Sequence, residues 1–206
     1  MNYLGHAYLS FSYPSVLAGN MISDYVKGKK KFDYPSDVQV GINLHRYIDT
    51  FTDSHPATKT ARQVFKADYG LYSGAFVDVL YDHFLANDPA EFTEPSLAQF
   101  AQQTYRQLDN FTGLFPEKFG RMFPYMKQHD WLYHYRELGG MQRSFEGLAH
   151  RSAYITESAT AYKLFIDNYD MLQQCYNGFF SEIKQYTWNT LQSFLAEEGN
   201  EQKPEQ

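Results

Sequence analysis

The chain has 206 residues, of which 43% are hydrophobic and 18% aromatic, a composition that excludes a disordered protein and predicts one well-packed domain. Lys and Arg number 18 against 24 Asp and Glu, so the net charge of −6 argues against a general DNA- or RNA-binding protein, which carries a basic excess. The single cysteine, Cys175, excludes an intrachain disulfide.

The first part of the chain is uncharged as far as Ser23, but it does not have the pattern of a signal peptide. It lacks a basic start, and His6, Ser10 and Pro14 interrupt its apolar residues. No other run approaches the length of about 18 apolar residues that a membrane span needs. We therefore expect a cytoplasmic protein without membrane contact.

Apolar residues recur at spacings of three and four along most of the chain, which indicates an all-α fold. Pro35, Pro56 and Pro89 mark breaks between helices. The pattern predicts one compact multi-helix domain over residues 1–198, followed by a polar tail over 199–206. The predicted helices lie at 15–28, 36–54, 56–68, 72–87, 93–110, 117–127, 130–138 and 140–150, with a long helix or a broken pair over 156–197.

Three of these helices carry polar pairs within apolar stretches. The two members of each pair are four residues apart and therefore lie on the same face of their helix. A buried carboxylate must be paired, hydrogen-bonded or bound to a metal, because a lone desolvated charge costs several kcal/mol. The pairs, in chain order, are Asn20 and Asp24, His45 and Asp49, and Asp78 and Asp82.

Two interpretations of these pairs remain open. The acids could tie helices together by pairing with Arg46, Arg62 or helix N-termini, or they could form a metal or acid–base site. Imidazole and carboxylate donors suit Mn²⁺, Mg²⁺, Fe or Zn²⁺. Such a cation would activate water, and Arg46 could neutralise charge on a phosphate. The sequence has no Walker A, GxSxG, GxGxxG or HExxH motif, which disfavours the corresponding enzyme classes.

At these residues the chain resembles the acyl carrier protein phosphodiesterase family. The matching segments are MNYLGH at 1–6, LAGNMISDYVKG at 17–28, GINLHRYIDTFTDSHP at 41–56 and DVLYDHFLA at 78–86, with a looser match in WLYHYRELGGM at 131–141. That family looks like a divergent branch of the all-α HD metal-dependent phosphohydrolases. The resemblance implies hydrolysis of the phosphodiester that joins 4′-phosphopantetheine to a serine of holo-acyl carrier protein.

The resemblance also implies a divalent metal cofactor, with Mn²⁺ favoured over Mg²⁺ or Zn²⁺. Carried over by position, the implied metal ligands are His6, Asp24, His45, Asp78 and Asp82, and the implied catalytic residues are Asp49, Arg46 and His83. The chain departs from the HD pattern in one respect. The consecutive His-Asp pair is replaced by Asp82-His83, and the pair His129-Asp130 lies outside the matching segments.

Acyl carrier proteins are acidic, so a partner with a net charge of −6 needs a local basic patch to bind one. The lysines that follow the Asp24 helix supply this patch: Lys27, Lys29, Lys30 and Lys31. Two other functions remain open at this point. One is an HD-like phosphohydrolase acting on a nucleotide or another small phosphodiester, and the other is a non-catalytic helical module that binds a carrier protein.

Overall fold

A computed structural model describes residues 1–152 and 154–201, with side chains up to residue 197, and every regular element within these ranges is helical. The all-α prediction is therefore confirmed. Residues 202–206 of the predicted tail lie outside the described residues, and 199–201 end the last helix. The helices are α1 (Tyr3–Tyr8), α2 (Pro14–Ile22), α3 (Ser36–Ser54), α4 (Pro56–Tyr69), α5 (Ser73–Ala86), α6 (Glu94–Asp109), α7 (Glu117–Gln128), α8 (Trp131–His134), α9 (Leu138–Arg151), α10 (Ala159–Asp167) and α11 (Tyr169–Glu201).

The helix predicted over 15–28 is shorter than expected. It ends at Ile22 and continues as a 3₁₀ turn over Ser23–Tyr25, and a second 3₁₀ segment covers Gly28–Asp33. Val26 between them is extended, and Gly28 has a φ of +57°, which a glycine adopts without strain. This irregular segment turns the chain so that Asp24 and the lysines lie beside α3.

Helix α5 runs through the core, as its apolar sequence predicts. It packs against α1, α4, α9 and α11, and Tyr81 stacks on Phe179 of α11 with ring centroids 4.8 Å apart. The buried residues form one hydrophobic cluster that includes side chains from α1 to α11. None of the helices in the described ranges has the length and apolarity needed to cross a bilayer.

Two glycines allow α2 and α3 to pack backbone to backbone. A Cβ atom on Gly19 would lie 2.0 Å from the carbonyl oxygen of Val38, and one on Gly41 would lie 2.1 Å from that of Val16. No side chain fits into either gap. The close approach brings Asn20 of α2 against His45 of α3 and so determines the geometry described below.

Helix α1 has only six residues and is held by a carboxylate from another helix. The Asp82 side chain of α5 accepts hydrogen bonds from the backbone N–H groups of Asn2, Leu4 and Gly5 at 3.0, 2.7 and 3.1 Å. Burial raises the pKa of Asp82 to about 7, and its ionised form also complements the dipole of α1. The buried Asp82 therefore fixes the helix that carries His6.

Candidate functional site

Three polar side chains from two helices meet in one cluster, formed by His6 of α1 and by His45 and Asp49 of α3. One ligand atom from each lies within 4.8 Å of the others. His6 Nε2 lies 3.2 Å from Asp49 Oδ1, and His45 Nε2 lies 3.1 Å from Asp49 Oδ2. The two imidazole rings are stacked, with centroids 3.9 Å apart. We refer to these three residues as the His–Asp cluster.

Asn20 orients both histidine rings. Its side-chain Oδ1 accepts from His6 Nδ1 at 2.8 Å, and its backbone oxygen accepts from His45 Nδ1 at 2.8 Å. The Asn20 amide is itself fixed, because its Nδ2 donates to the His6 carbonyl oxygen at 2.9 Å and to Ser10 Oγ at 3.1 Å. Both rings therefore turn Nε2 towards Asp49.

This arrangement suits a cation at the centre of the His–Asp cluster. When His6 is neutral, its proton is on Nδ1, so a lone pair on Nε2 faces the lone pairs of Asp49 Oδ1 at 3.2 Å. Two acceptors at this distance repel each other unless a proton or a metal ion lies between them. Histidine ligands whose second nitrogen donates to a fixed oxygen are typical of metal sites. The donor set therefore fits a divalent cation.

The two histidines of the cluster have very different pKa values. Burial and the neighbouring His45 lower the pKa of His6 to about 4. Burial also disfavours the charged form of His45, but hydrogen bonds to Asp24 and Asp49 outweigh it and raise the pKa of His45 to about 9. The same two histidines outweigh the effect of burial on Asp49 and hold its pKa far below the usual range. Asp49 is thus an anion at neutral pH.

Asp24 extends the cluster towards solvent. Its Oδ1 lies 3.3 Å from His45 Nε2, and its side chain is 68% exposed. The hydrogen bond with His45 lowers the pKa of Asp24. Of the five predicted metal ligands, His6, Asp24 and His45 are thus close together, and they are joined by Asp49, for which a catalytic role was predicted.

The cluster lies in the wall of a cavity of about 310 Å³, formed by the start of the chain, α2, α3, α5 and the end of α9. Asp78 is in the same wall, where its Oδ1 accepts a hydrogen bond from the Met1 amino group at 2.8 Å. Its side chain is 32% exposed. Burial raises the pKa of Asp78 despite the neighbouring ammonium group.

Two other predicted residues lie outside the His–Asp cluster and make contacts between elements of the fold. Asp82 holds the first turn of α1, which is the structural alternative raised for the buried acids. His83 lies elsewhere: its Nδ1 donates to the Tyr135 carbonyl oxygen at 2.7 Å, and its Nε2 accepts from the Tyr169 hydroxyl at 3.0 Å. Burial lowers the pKa of His83. Its position lends no support to a catalytic role.

Two arginines differ in their position relative to the cavity. Arg46, the predicted phosphate clamp, is half-buried, and its Nη2 donates to the Val26 carbonyl oxygen at 3.2 Å. Arg151, at the end of α9, lines the cavity itself. The sequence analysis does not predict Arg151. It lies far along the chain from the His–Asp cluster, and no helical spacing relates it to those residues.

The predicted basic patch is confined to the 3₁₀ segment and the residue before it. Lys27, Lys29 and Lys30 are exposed, whereas Lys31 is half-buried and its Nζ donates to Asn43 Oδ1 of α3 at 3.0 Å. The segment connects the turn that carries Asp24 with the helix that carries His45 and Asp49. The lysines therefore lie between Asp24 and α3 along the chain.

Comparison with known proteins assigns the chain to a family. A family model described as acyl carrier protein phosphodiesterase matches residues 1–183. Proteins of that name from Enterobacter sp. (strain 638) and Yersinia pestis are 31% and 32% identical over 184 and 181 residues. These alignments cover 89% and 87% of this chain, and 95% and 94% of the relatives.

A protein of the same name from Klebsiella pneumoniae subsp. pneumoniae is 30% identical over 190 residues, which cover 92% of this chain and 98% of that relative. No solved structure matches the chain. The family model covers the His–Asp cluster, Asn20, Arg151 and the lysine segment. The chain belongs to the acyl carrier protein phosphodiesterase family.

Proposed function

We propose that this protein hydrolyses the phosphodiester between 4′-phosphopantetheine and a serine of holo-acyl carrier protein. Water adds to phosphorus, the bond from phosphorus to the serine oxygen breaks, and that oxygen takes up a proton. The products are apo-acyl carrier protein and 4′-phosphopantetheine. The observation that carries the proposal is the convergence of His6, His45 and Asp49 in a cavity wall, in a chain that belongs to this family.

The proposal includes a divalent cation, with Mn²⁺ favoured, held by His6, His45 and Asp49. Asp24 is the further carboxylate nearest to this set. When bound, such a cation lowers the pKa of a coordinated water and polarises a phosphoryl oxygen. Imidazole and carboxylate donors are those used by the HD metal-dependent phosphohydrolases, and we propose the same class of chemistry here.

The chain's own residues orient the reacting groups. Asn20 holds each imidazole by Nδ1 and leaves Nε2 for the cation. Arg151 in the cavity wall supplies positive charge for the phosphate oxygens, whereas the Arg46 guanidinium donates to the Val26 carbonyl oxygen and does not line the cavity. Together with a bound cation, Arg151 would offset the carboxylates of the cavity wall when an anionic phosphate binds.

We also propose that Lys27, Lys29, Lys30 and Lys31 contact the acidic surface of the carrier protein. Three of them are exposed, and their segment joins the two chain stretches that carry Asp24 and His45. Complementary charge of this kind increases the association rate and fixes the orientation of the partner. The carrier would then present its modified serine to the cavity.

Intact-mass analysis of holo-acyl carrier protein tests the reaction. The carrier is incubated with the enzyme and Mn²⁺, with and without EDTA, and with two variants of α3. Asp49→Asn removes a cluster carboxylate. Asp53→Asn makes the same change one turn further along, at a residue that pairs with Arg62 outside the cavity wall.

We expect the phosphopantetheine mass to be lost with wild type and Asp53→Asn in Mn²⁺, and to be kept in EDTA. Asp49→Asn should be at least a hundredfold slower. An intact carrier with metal-loaded wild type would refute the substrate, and cleavage of a small phosphodiester instead would identify the HD-like alternative. Cleavage that persists in EDTA, or in Asp49→Asn, would refute the role given to the His–Asp cluster.

A further inference from the structure

A second cavity adjoins the one that contains the His–Asp cluster. It has a volume of about 560 Å³ and lies between α8, α9 and the start of the chain. Asn2, Tyr3 and Arg151 line both cavities, so these residues form the boundary between them. The volume falls within the range of about 300–1,000 Å³ that is typical of small-molecule sites. We refer to this space as the α8–α9 cavity.

The walls of the α8–α9 cavity combine aromatic surface with hydrogen-bonding groups. Tyr3, Trp131 and Tyr135 supply the aromatic part, and Tyr3 and Trp131 have ring centroids 6.4 Å apart. The polar part includes Gln128 and Ser144, two side chains of neutral charge. Such walls suit an elongated molecule with both methyl groups and amides, because each kind of group finds a matching surface.

The boundary between the two cavities carries positive charge. Arg151 lies there, and none of the carboxylates in residues 1–152 and 154–197 forms an ion pair with it. Arg143, eight residues earlier on the same helix, lines the α8–α9 cavity, and its Nη2 lies 3.9 Å from Glu137 Oε2. An anionic group at the boundary would therefore meet a guanidinium group on one side and the His–Asp cluster on the other.

We propose that the α8–α9 cavity binds the pantetheine arm of the substrate, with the phosphodiester at the boundary beside Arg151. The inference rests on the proposed function, which brings the phosphate to the His–Asp cluster. The arm has two amides, a hydroxyl and a pair of methyl groups, which match the mixed walls. Contacts between the arm and the cavity give the substrate binding energy that a simple phosphodiester lacks. After hydrolysis the same contacts hold the phosphopantetheine product in the cavity.

Tryptophan fluorescence measures binding of the arm independently of activity. The chain has two tryptophans, and Trp131 lies in the cavity wall whereas Trp188 packs on Phe11. Trp188→Phe keeps an aromatic ring there and leaves Trp131 as the only tryptophan. This protein is titrated with pantetheine, which has no phosphate and cannot be hydrolysed by the proposed reaction.

Two further substitutions are then added to Trp188→Phe. Ser144→Phe fills the cavity from the half-buried face of α9, and Gln142→Phe makes a comparable change on its exposed face. We expect pantetheine to change Trp131 emission in a saturable way in Trp188→Phe and with Gln142→Phe. With Ser144→Phe the affinity should fall at least tenfold, and KM for holo-acyl carrier protein should rise at least tenfold.

The outcomes separate this inference from the proposed function. A Trp188→Phe protein that shows no saturable response to pantetheine overturns the inference, even if Ser144→Phe does not fold. Equal pantetheine affinity with Ser144→Phe and Gln142→Phe also overturns it. Saturable binding that Ser144→Phe abolishes supports the pantetheine site, and failure to cleave holo-acyl carrier protein in the same preparation then counts against the proposed function alone.

Discussion

Asn20 is the residue on which the geometry of the His–Asp cluster depends most. It accepts a hydrogen bond from each imidazole Nδ1, and its own amide is held by the His6 carbonyl oxygen and Ser10. All of these groups are buried. A histidine ring that is held by one nitrogen presents the other in a fixed direction, which reduces the cost of organising a metal site.

Asn20→Ala should therefore weaken metal binding without removing a ligand. His6 loses the acceptor for Nδ1–H, whereas His45 keeps the Asn20 backbone oxygen, so the His6 ring becomes free to rotate. We expect affinity for Mn²⁺ to fall about 10- to 100-fold. Competition with a chromophoric chelator measures this affinity, and an unchanged value in folded protein would show that Asn20 does not orient the ligands.

His83 tests whether a predicted catalytic residue has a structural role. It joins α5 to the Tyr135 carbonyl oxygen and to Tyr169 at the start of α11. His83→Gln should lower the free energy of unfolding by about 1–3 kcal/mol, because buried hydrogen bonds are lost. Urea unfolding measures the loss. A fully stable variant that no longer hydrolyses the carrier would restore the catalytic role.

The sequence identifies the residue types of the site but not which residues meet. Spacing pairs His45 with Asp49 on one turn of α3, and that pair is present in the cluster. The same spacing pairs Asp78 with Asp82, yet these two hold the Met1 amino group and the first turn of α1. The spacing shows that two residues lie on the same face of a helix. Which other part of the protein contacts that face depends on tertiary packing.

At the scale of elements, the contact between α2 and α3 positions Asn20 against His45, and it depends on two glycines. A methyl group on Gly41 would lie 2.1 Å from the Val16 carbonyl oxygen, a backbone atom that cannot move aside cheaply. Gly41→Ala should therefore cost about 3 kcal/mol of stability and displace the two helices. Metal affinity should fall as well, because Asn20 and His45 lie on opposite sides of this contact.

Gly178→Ala is the matched control for that substitution. Gly178 lies within α11, and a Cβ atom there meets nothing within 4 Å. Alanine has the higher helix propensity, so this variant should be as stable as wild type or more stable by up to about 1 kcal/mol. Thermal and urea unfolding compare the two variants. Equal stability of Gly41→Ala and Gly178→Ala would refute the close contact.

The short helix α1 gives a second prediction at this scale. Asp82→Asn replaces one carboxylate oxygen by an NH₂ group that faces a backbone N–H, so at least one of the three hydrogen bonds is lost. We expect a loss of about 2–3 kcal/mol in the free energy of unfolding. The exposed Asp68→Asn on α4 should cost nothing measurable, and equal behaviour of the two would contradict the role of Asp82.

The longer helices follow from the sequence, whereas α1 does not. The prediction over 36–54 coincides with α3, and the broken pair allowed over 156–197 divides at Asn168, between α10 and α11. Six residues are too few for a stable isolated helix. α1 forms because Asp82, far along the chain, binds its first turn, and a local pattern contains no such information.

On the scale of the whole molecule, the net charge of −6 opposes the approach of an acidic carrier protein. The exposed lysines of residues 27–30 provide local positive charge beside the chain stretches that form the site. Screening by salt weakens long-range repulsion and local attraction alike, with a Debye length of about 10 Å at 0.1 M. The contribution of the lysines is therefore measurable as a salt-dependent KM.

The double variant Lys29→Glu/Lys30→Glu should raise KM for holo-acyl carrier protein about tenfold at low salt, because two attractive contacts become repulsive. Lys59→Glu/Lys66→Glu on α4 changes the net charge equally at exposed positions outside the segment, so it reports the effect of overall charge. The difference between the two variants should shrink as salt increases. Steady-state kinetics over a salt series decides the matter, since equal KM values for the two variants would show that the carrier protein docks elsewhere.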